Sequence, residues 1–157
     1  MEFQKNLLEG RILALDLGKK RIGLALSDPL GLTAQGLPTY HRTTLREDIA
    51  AIESLALEHN VSLILMGYPL HMSGKAGRQA QYTQDFSDRL ASRAGLKVRM
   101  WDERLTSVEA GRVLKQSGIS IEKRAKAVDR LAAVILLASF LDAGCPPESA
   151  PEGAAAR

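Results

Sequence analysis

Asp16, Asp102, Glu103 and Asp129 are the acids that the hydrophobic pattern of this chain does not call for. Asp16 closes RILALD (11–16), a run otherwise almost wholly apolar. A carboxylate at the end of a central strand is costly to desolvate unless it is hydrogen-bonded or coordinates a metal. Its plainer role is to cap the turn before Gly18. Asp102 and Glu103 end a second strand-like run, KVRMW (97–101). Alternation sends the two acids to opposite faces of a sheet, so one of them serves a shared site, and periodicity does not say which. Both could equally be solvated charge opening a loop. Asp129 keeps helical register with Ala132, Ala133 and Leu136, which puts an acid on a core-facing stripe. Unpaired there, it would stay protonated or cost heavily, although Lys126 or Arg130 could satisfy it as a salt bridge. Acids gathered at one sheet edge without a Cys/His set are hard oxygen donors, suited to Mg²⁺ or Mn²⁺ rather than zinc. Two such ions about 3.5–4 Å apart can activate a water and stabilise the leaving oxygen in phosphodiester cleavage.

The elements that must position these acids follow from periodicity. Residues 11–16 and 21–28 (RIGLALSD) read as two strands of a hairpin turning at Gly18-Lys19-Lys20-Arg21, with a third short strand near Thr33–Tyr40. Thr44 and Glu47 have capping-box spacing at the start of a helix over Leu45–Glu58, with Ile49, Ile52 and Leu55 on one face. Val61–Met66 is a buried strand ending at Gly67-Tyr68-Pro69. A polar loop (71–77) leads to a helix over Arg78–Arg93 closed by Gly95, then to the strand Lys97–Trp101. Thr106 and Glu109 cap a further helix that stops at Gly118; a basic linker (121–126) precedes a very apolar last helix, 125–143. This order predicts an α/β fold, a mixed five-stranded sheet antiparallel at its start and parallel afterwards, with helices on both faces. Ligands of such sheets gather at the carboxyl ends of the strands.

Size and composition bound the function. The 157 residues, 45% apolar and 25% charged, suit one globular domain. We place it at 1–144, with a Pro/Ala-rich tail (145–157) expected to be disordered. The lone Cys145 excludes a disulfide framework and a Cys-rich zinc site. The longest apolar run, Leu131–Leu141, is about half of the roughly 20 residues that span a bilayer, and the N-terminus has no signal-peptide pattern. A cytoplasmic protein with no membrane partner is expected. The net charge of +3 is mild, so what matters is where the cations sit.

DLGKKRIGLALSD (16–28), GYP (67–69), a Gly-rich loop with Arg78, DERLT (102–106) and VDRLAA (128–133) occur in this order. Together they resemble the YqgF/RuvX family, whose members are named as Holliday junction resolvases and pre-16S rRNA nucleases, over roughly residues 11–142. The resemblance implies a ribonuclease H-like fold and a metal-dependent endonuclease using Mg²⁺ or Mn²⁺, two ions in all. It carries the family's first-strand acid to Asp16, its fourth-strand acid to Glu103 and its last-helix acid to Asp129, as metal ligands and catalytic groups. Two positions depart from the family pattern: Tyr68 stands where Gly-Leu-Pro is usual, and Arg130 stands where Asp-Ser-Leu is usual, beside the site. The implied partner is nucleic acid, either a four-way DNA junction or a ribosomal RNA precursor. Cutting a symmetric junction on two strands would favour a homodimer.

Under that reading Lys19, Lys20 and Arg21 on the hairpin, Arg78, Arg104 after Glu103, and Lys126 and Arg130 around Asp129 would meet phosphates, with Lys123 and Arg124 nearby. Tyr68, Tyr82 and Trp101 could stack on bases, though core packing is the commoner use of such residues. His71 reads as a solvated loop residue. Two other classes compete. Asp16-Leu17-Gly18 with Gly23 also resembles the first phosphate loop of sugar kinase and actin-type ATPases, which need two such domains; saturable ATP binding would favour that reading. A non-catalytic nucleic-acid-binding or assembly factor on the same fold would lack Mn²⁺-dependent cleavage.

Overall fold

The computed structural model describes residues 10–68, 76–102 and 121–146, and at 68, 76–80, 94, 102 and 121–130 the description covers the backbone only. Three strands open the chain: β1 (Arg11–Leu17), β2 (Arg21–Ser27) and β3 (Ala34–His41). Helix α1 (Leu45–Glu58), β4 (Val61–Tyr68), α2 (Ala76–Ala94), β5 (Lys97–Asp102) and α3 (Ile121–Asp142) follow. The sheet order is β3-β2-β1-β4-β5. β1–β2 and β2–β3 are antiparallel, whereas β1–β4 and β4–β5 are parallel. The expected mixed sheet of five strands is therefore present.

β1 is apolar on both faces because it is the central strand, and the pleat divides its side chains between two cores. Leu13, Leu15 and Leu17 join Ile22, Leu24, Leu26, Ile64 and Met66 under Ile49 and Ile52 of α1 and Phe86 and Leu90 of α2. Ile12 and Ala14 join Ala25, Leu63 and Leu65 under Ala133, Leu136, Leu137 and Phe140 of α3. Each large apolar side chain buried this way contributes roughly 1.5–3 kcal/mol, so α3 is fixed to the sheet by several such anchors. Emptying the space of fully buried Phe140 would cost about 3–5 kcal/mol.

The helix boundaries have local causes. The Thr44 hydroxyl accepts the Glu47 N–H at 3.1 Å and caps α1. Gly95, at φ +68°, takes the left-handed conformation that stops α2. The stretch 121–126, expected to be a linker, is instead the first turns of α3. Glu, Lys, Arg and Ala are all good helix formers, and neither Gly nor Pro interrupts 121–142, so the helix propagates through the charged segment. The start of the expected tail also packs: Cys145 is buried, and the Pro146 carbonyl accepts from Arg99 at 2.6 Å. The expected helix from Thr106 to Gly118 and the remainder of the tail lie outside the described residues. Among the described residues no helix is long and apolar enough to cross a membrane.

Candidate active site

Asp16 is the next residue after Ile12 and Ala14 in the alternation on β1, so it stands on the face that α3 covers, half-buried near the end of the central strand. Its neighbour across the antiparallel pair is Gly23 of β2. On the parallel side Leu15 pairs with Met66, which brings Gly67 of β4 one step further, beside Asp16. The carboxylate is thus flanked on both neighbouring strands by residues without side chains. Both glycines are buried, and the carboxylate itself is a hard oxygen donor near the carboxyl edge of the parallel strands, where ligands of such sheets gather.

The β1–β2 turn then raises three cations next to this carboxylate. Gly18 donates its N–H to the Arg21 carbonyl at 2.9 Å, and a Cβ added at Gly18 would lie 2.7 Å from that same oxygen. Only glycine fits this close approach. Lys19, Lys20 and Arg21 are exposed and, with Gly18, line a shallow cavity of about 250 Å³. Cations held this way attract phosphate without reading sequence.

A buried ion pair braces the turn. The Arg42 Nε donates to Asp48 at 2.8 Å, and the two side chains are 7% and 1% exposed. The other end of the Arg42 guanidinium donates to the Gly18 carbonyl at 2.8 Å and to the Tyr82 hydroxyl. Its Cζ lies 5.3 Å from the centroid of the Tyr82 ring and 5.5 Å from that of the Phe86 ring, within cation–π range. The Arg42 N–H donates to the Lys20 carbonyl at 2.9 Å. Asp48 in turn accepts the Thr43 N–H at 2.9 Å. One side chain therefore ties together the end of β3, the start of α1, the middle of α2 and the turn two residues past Asp16. Burial alone would raise the Asp48 pKa. The Thr43 N–H, Arg42 and Tyr40 more than offset this and hold the carboxyl below its ordinary range.

The other predicted site residues are placed unevenly. Asp129 lies on α3, three and four residues before the buried Ala132 and Ala133, and α3 packs across β1, β2 and β3 on the face where Asp16 stands. Its side chain, with those of Lys126 and Arg130, is outside the described residues, as are Glu103 and Arg104 entirely. Glu103 follows the last residue of β5, and Arg78 falls in the first turn of α2. Trp101 is a packing residue: it meets Phe140 edge-on at 5.1 Å and donates Nε1 to the Ser139 hydroxyl at 3.1 Å. Tyr82 keeps one face exposed while its hydroxyl is taken by Arg42. The Tyr68 side chain, His71 and the polar loop lie outside the described residues.

Arg42 and Asp48 were not singled out by sequence, although a signal existed. Asp48 keeps helical phase with Ile52 and Ala56, an acid on an apolar stripe, which is the same anomaly that drew attention to Asp129.

With this geometry in view, comparison with known proteins gives a consistent answer. The family model for RuvX, Holliday junction resolvase, matches residues 10–143. The chain belongs to the RuvX family. A relative from Koribacter versatilis named "Putative pre-16S rRNA nuclease" is 50% identical over 135 residues, 86% of this chain and 88% of that one. A relative of the same name from Myxococcus xanthus is 45% identical over 139 residues, 88% of this chain and 92% of that one. Among solved structures, T. thermophilus RuvC in complex with a Holliday junction substrate superposes with a TM-score of 0.53 at 14% identity, covering 87% of this chain and 96% of RuvC. The fowlpox virus resolvase bound to Holliday junction DNA gives 0.51 at 13% identity, covering 87% and 99%. At such low identity these two speak for the fold alone, which is the ribonuclease H-like fold expected from the sequence.

Proposed function

We propose that this protein is a divalent-metal-dependent endonuclease that hydrolyses phosphodiester bonds in structured nucleic acid, either a four-way DNA junction or the precursor of 16S rRNA. The observation that carries the reading is the setting of Asp16: a half-buried carboxylate at the edge of the central strand, flanked by Gly23 and Gly67, beside a braced turn of three cations. Membership of the RuvX family supports the same chemistry.

The residues fit a Mg²⁺ or Mn²⁺ pair by donor chemistry. Asp16 offers a hard oxygen at the sheet edge, and Glu103 and Asp129 would complete a carboxylate set with no soft ligand in it. When bound, such ions polarise the phosphate and supply an activated water. The chain's own contribution is positioning. Lys19, Lys20 and Arg21 would hold the backbone phosphates and fix the strand's register, with Arg78, Arg104, Lys126 and Arg130 as further phosphate contacts. The Arg42 brace keeps the turn from yielding when those phosphates arrive. Packing of α3 through Ala133, Leu136, Leu137 and Phe140 would fix the backbone that carries Asp129, the preorganisation a metal ligand needs. A junction cut symmetrically on two strands calls for a homodimer.

A cleavage panel tests the reading: four-way junction, duplex DNA and 16S rRNA precursor, each with Mg²⁺ and with Mn²⁺. Cleavage of the junction or the precursor by the wild-type protein is the expected result. Binding without cleavage of any of them would instead make the chain a non-catalytic binding or assembly factor on the same fold.

A further inference from the structure

Between α1 and α2, helices whose other charges are mostly acidic, arginines gather along one groove. This groove of about 570 Å³ runs between the two helices, lined by Leu45, Arg46 and Ile49 from α1 and by Arg89, Ser92 and Arg93 from α2. Arg89 and Arg93 are four residues apart, stacked on one face of α2, and like charges at that spacing disfavour a helix. The Glu53 carboxylate relieves Arg93, at 3.4 Å across the groove. Among the described residues no ion pair engages Arg46 or Arg89. The nearby acids of α2, Asp85 and Asp88, accept from Gln81 and Gln84. Arginine clusters of this kind favour an anionic occupant, and guanidinium groups suit phosphate oxygens in particular.

The groove lies on the face of the sheet opposite Asp16, and Arg42 links its α1 end to the cationic hairpin at the end of the sheet. Its α1 end is the first turn after Thr44, and Arg42 joins the start of α1 to the cationic hairpin through its bond to the Lys20 carbonyl at 2.9 Å. On the α2 side, Tyr82, two turns before Arg89, meets the same guanidinium. A strand lying on Lys19, Lys20 and Arg21 would reach the groove around the end of the sheet and across the first turn of α1, passing the exposed Glu47.

We propose that the α1–α2 groove is a second phosphate-backbone site, holding nucleic acid that extends away from the candidate active site, with Arg46 and Arg89 as its principal contacts. This rests on the nucleic-acid reading above. The ligand chemistry is a phosphodiester chain, from RNA or from DNA.

The test measures binding of fluorescent 40-nucleotide RNA and DNA strands of one sequence by anisotropy across a salt series. EDTA is present throughout, so no cleavage is required. Arg46→Ala/Arg89→Ala leaves the Glu53–Arg93 pair in place. It should bind more weakly and lower the slope of log affinity against log salt by about 1.4–1.8, two phosphates at roughly 0.7–0.9 each. Arg46→Lys/Arg89→Lys should keep the wild-type slope, and Gln replacements serve if the Ala variant loses its fold by circular dichroism. A changed slope on either strand supports the site, and the strand that loses more identifies the source. Wild-type binding with an unchanged variant slope on both strands would overturn the groove while leaving the proposed function intact. No binding by the wild type to either strand would likewise overturn the groove, and the proposed function would still be decided by the cleavage panel with metal.

Discussion

Replacing Asp48 by alanine leaves the Arg42 guanidinium, whose side chain is 7% exposed, without its buried carboxylate. Removing one partner of a buried pair costs about 3–5 kcal/mol, because the remaining charge keeps its desolvation penalty and loses its compensation. Here two acceptors survive, the Gly18 carbonyl and the Tyr82 hydroxyl, and two aromatic faces still flank the cation. The lower end of that range, about 3 kcal/mol, is therefore expected. For a domain of this size it corresponds to a fall in Tm of roughly 6–12 °C. The effect depends on pH with a definite sign. The Asp48 pKa is lowered in the folded state, so its contribution is present above the ordinary carboxylate value near 4 and is lost as pH falls through the folded value. Thermal unfolding followed by circular dichroism at pH 7, and again in a descending pH series, measures both. The gap between wild type and Asp48→Ala should be widest near neutrality and should close in acid. A Tm change below about 2 °C at pH 7, or a gap that widens in acid, would refute the argument that this pair is a buried brace.

Three further outcomes follow from the same geometry. Gly18→Ala should lower Tm, since its Cβ would stand 2.7 Å from the Arg21 carbonyl and the turn would have to open, a strain of about 1–3 kcal/mol; calorimetry reads it directly. Lys19→Ala/Lys20→Ala/Arg21→Ala should weaken nucleic-acid binding and reduce its salt slope by about 2–3 with Tm little changed, whereas an unchanged slope would mean the hairpin faces away from the substrate. Asp129→Ala should abolish cleavage and shrink the rise in Tm that Mg²⁺ or Mn²⁺ produces, while Asp142→Ala, at the exposed far end of the same helix, should do neither.

The fold was legible because apolar periodicity in this chain is strong where burial is complete. RILALD could only be a central strand, and Thr44 and Gly95 mark helix ends by mechanisms that act within a few residues. The linker expected at 121–126 was a misreading of charge as a break, when nothing in IEKRAK stops a helix that the apolar run beyond it anchors. Asp16 was visible as an acid out of place on an apolar strand. Its neighbour Gly67 was not, because it reaches Asp16 only through the parallel pairing of β1 with β4, 51 residues on. The Arg42–Asp48 brace was hidden for the same reason: its partners Gly18, in the β1–β2 turn, and Tyr82 and Phe86, on α2, are remote in the chain, and pairing of that range leaves no local pattern.

Asp16→Asn tests the account most directly. The change keeps the side chain's size and removes its charge, so the fold and Tm should hold or rise as repulsion from neighbouring acids is relieved. In the junction and rRNA-precursor cleavage assay with Mn²⁺, wild-type protein should cut and Asp16→Asn should not, while both bind the substrate. A folded Asp16→Asn protein that cleaves at the wild-type rate would contradict the claim that this carboxylate is where the chemistry happens.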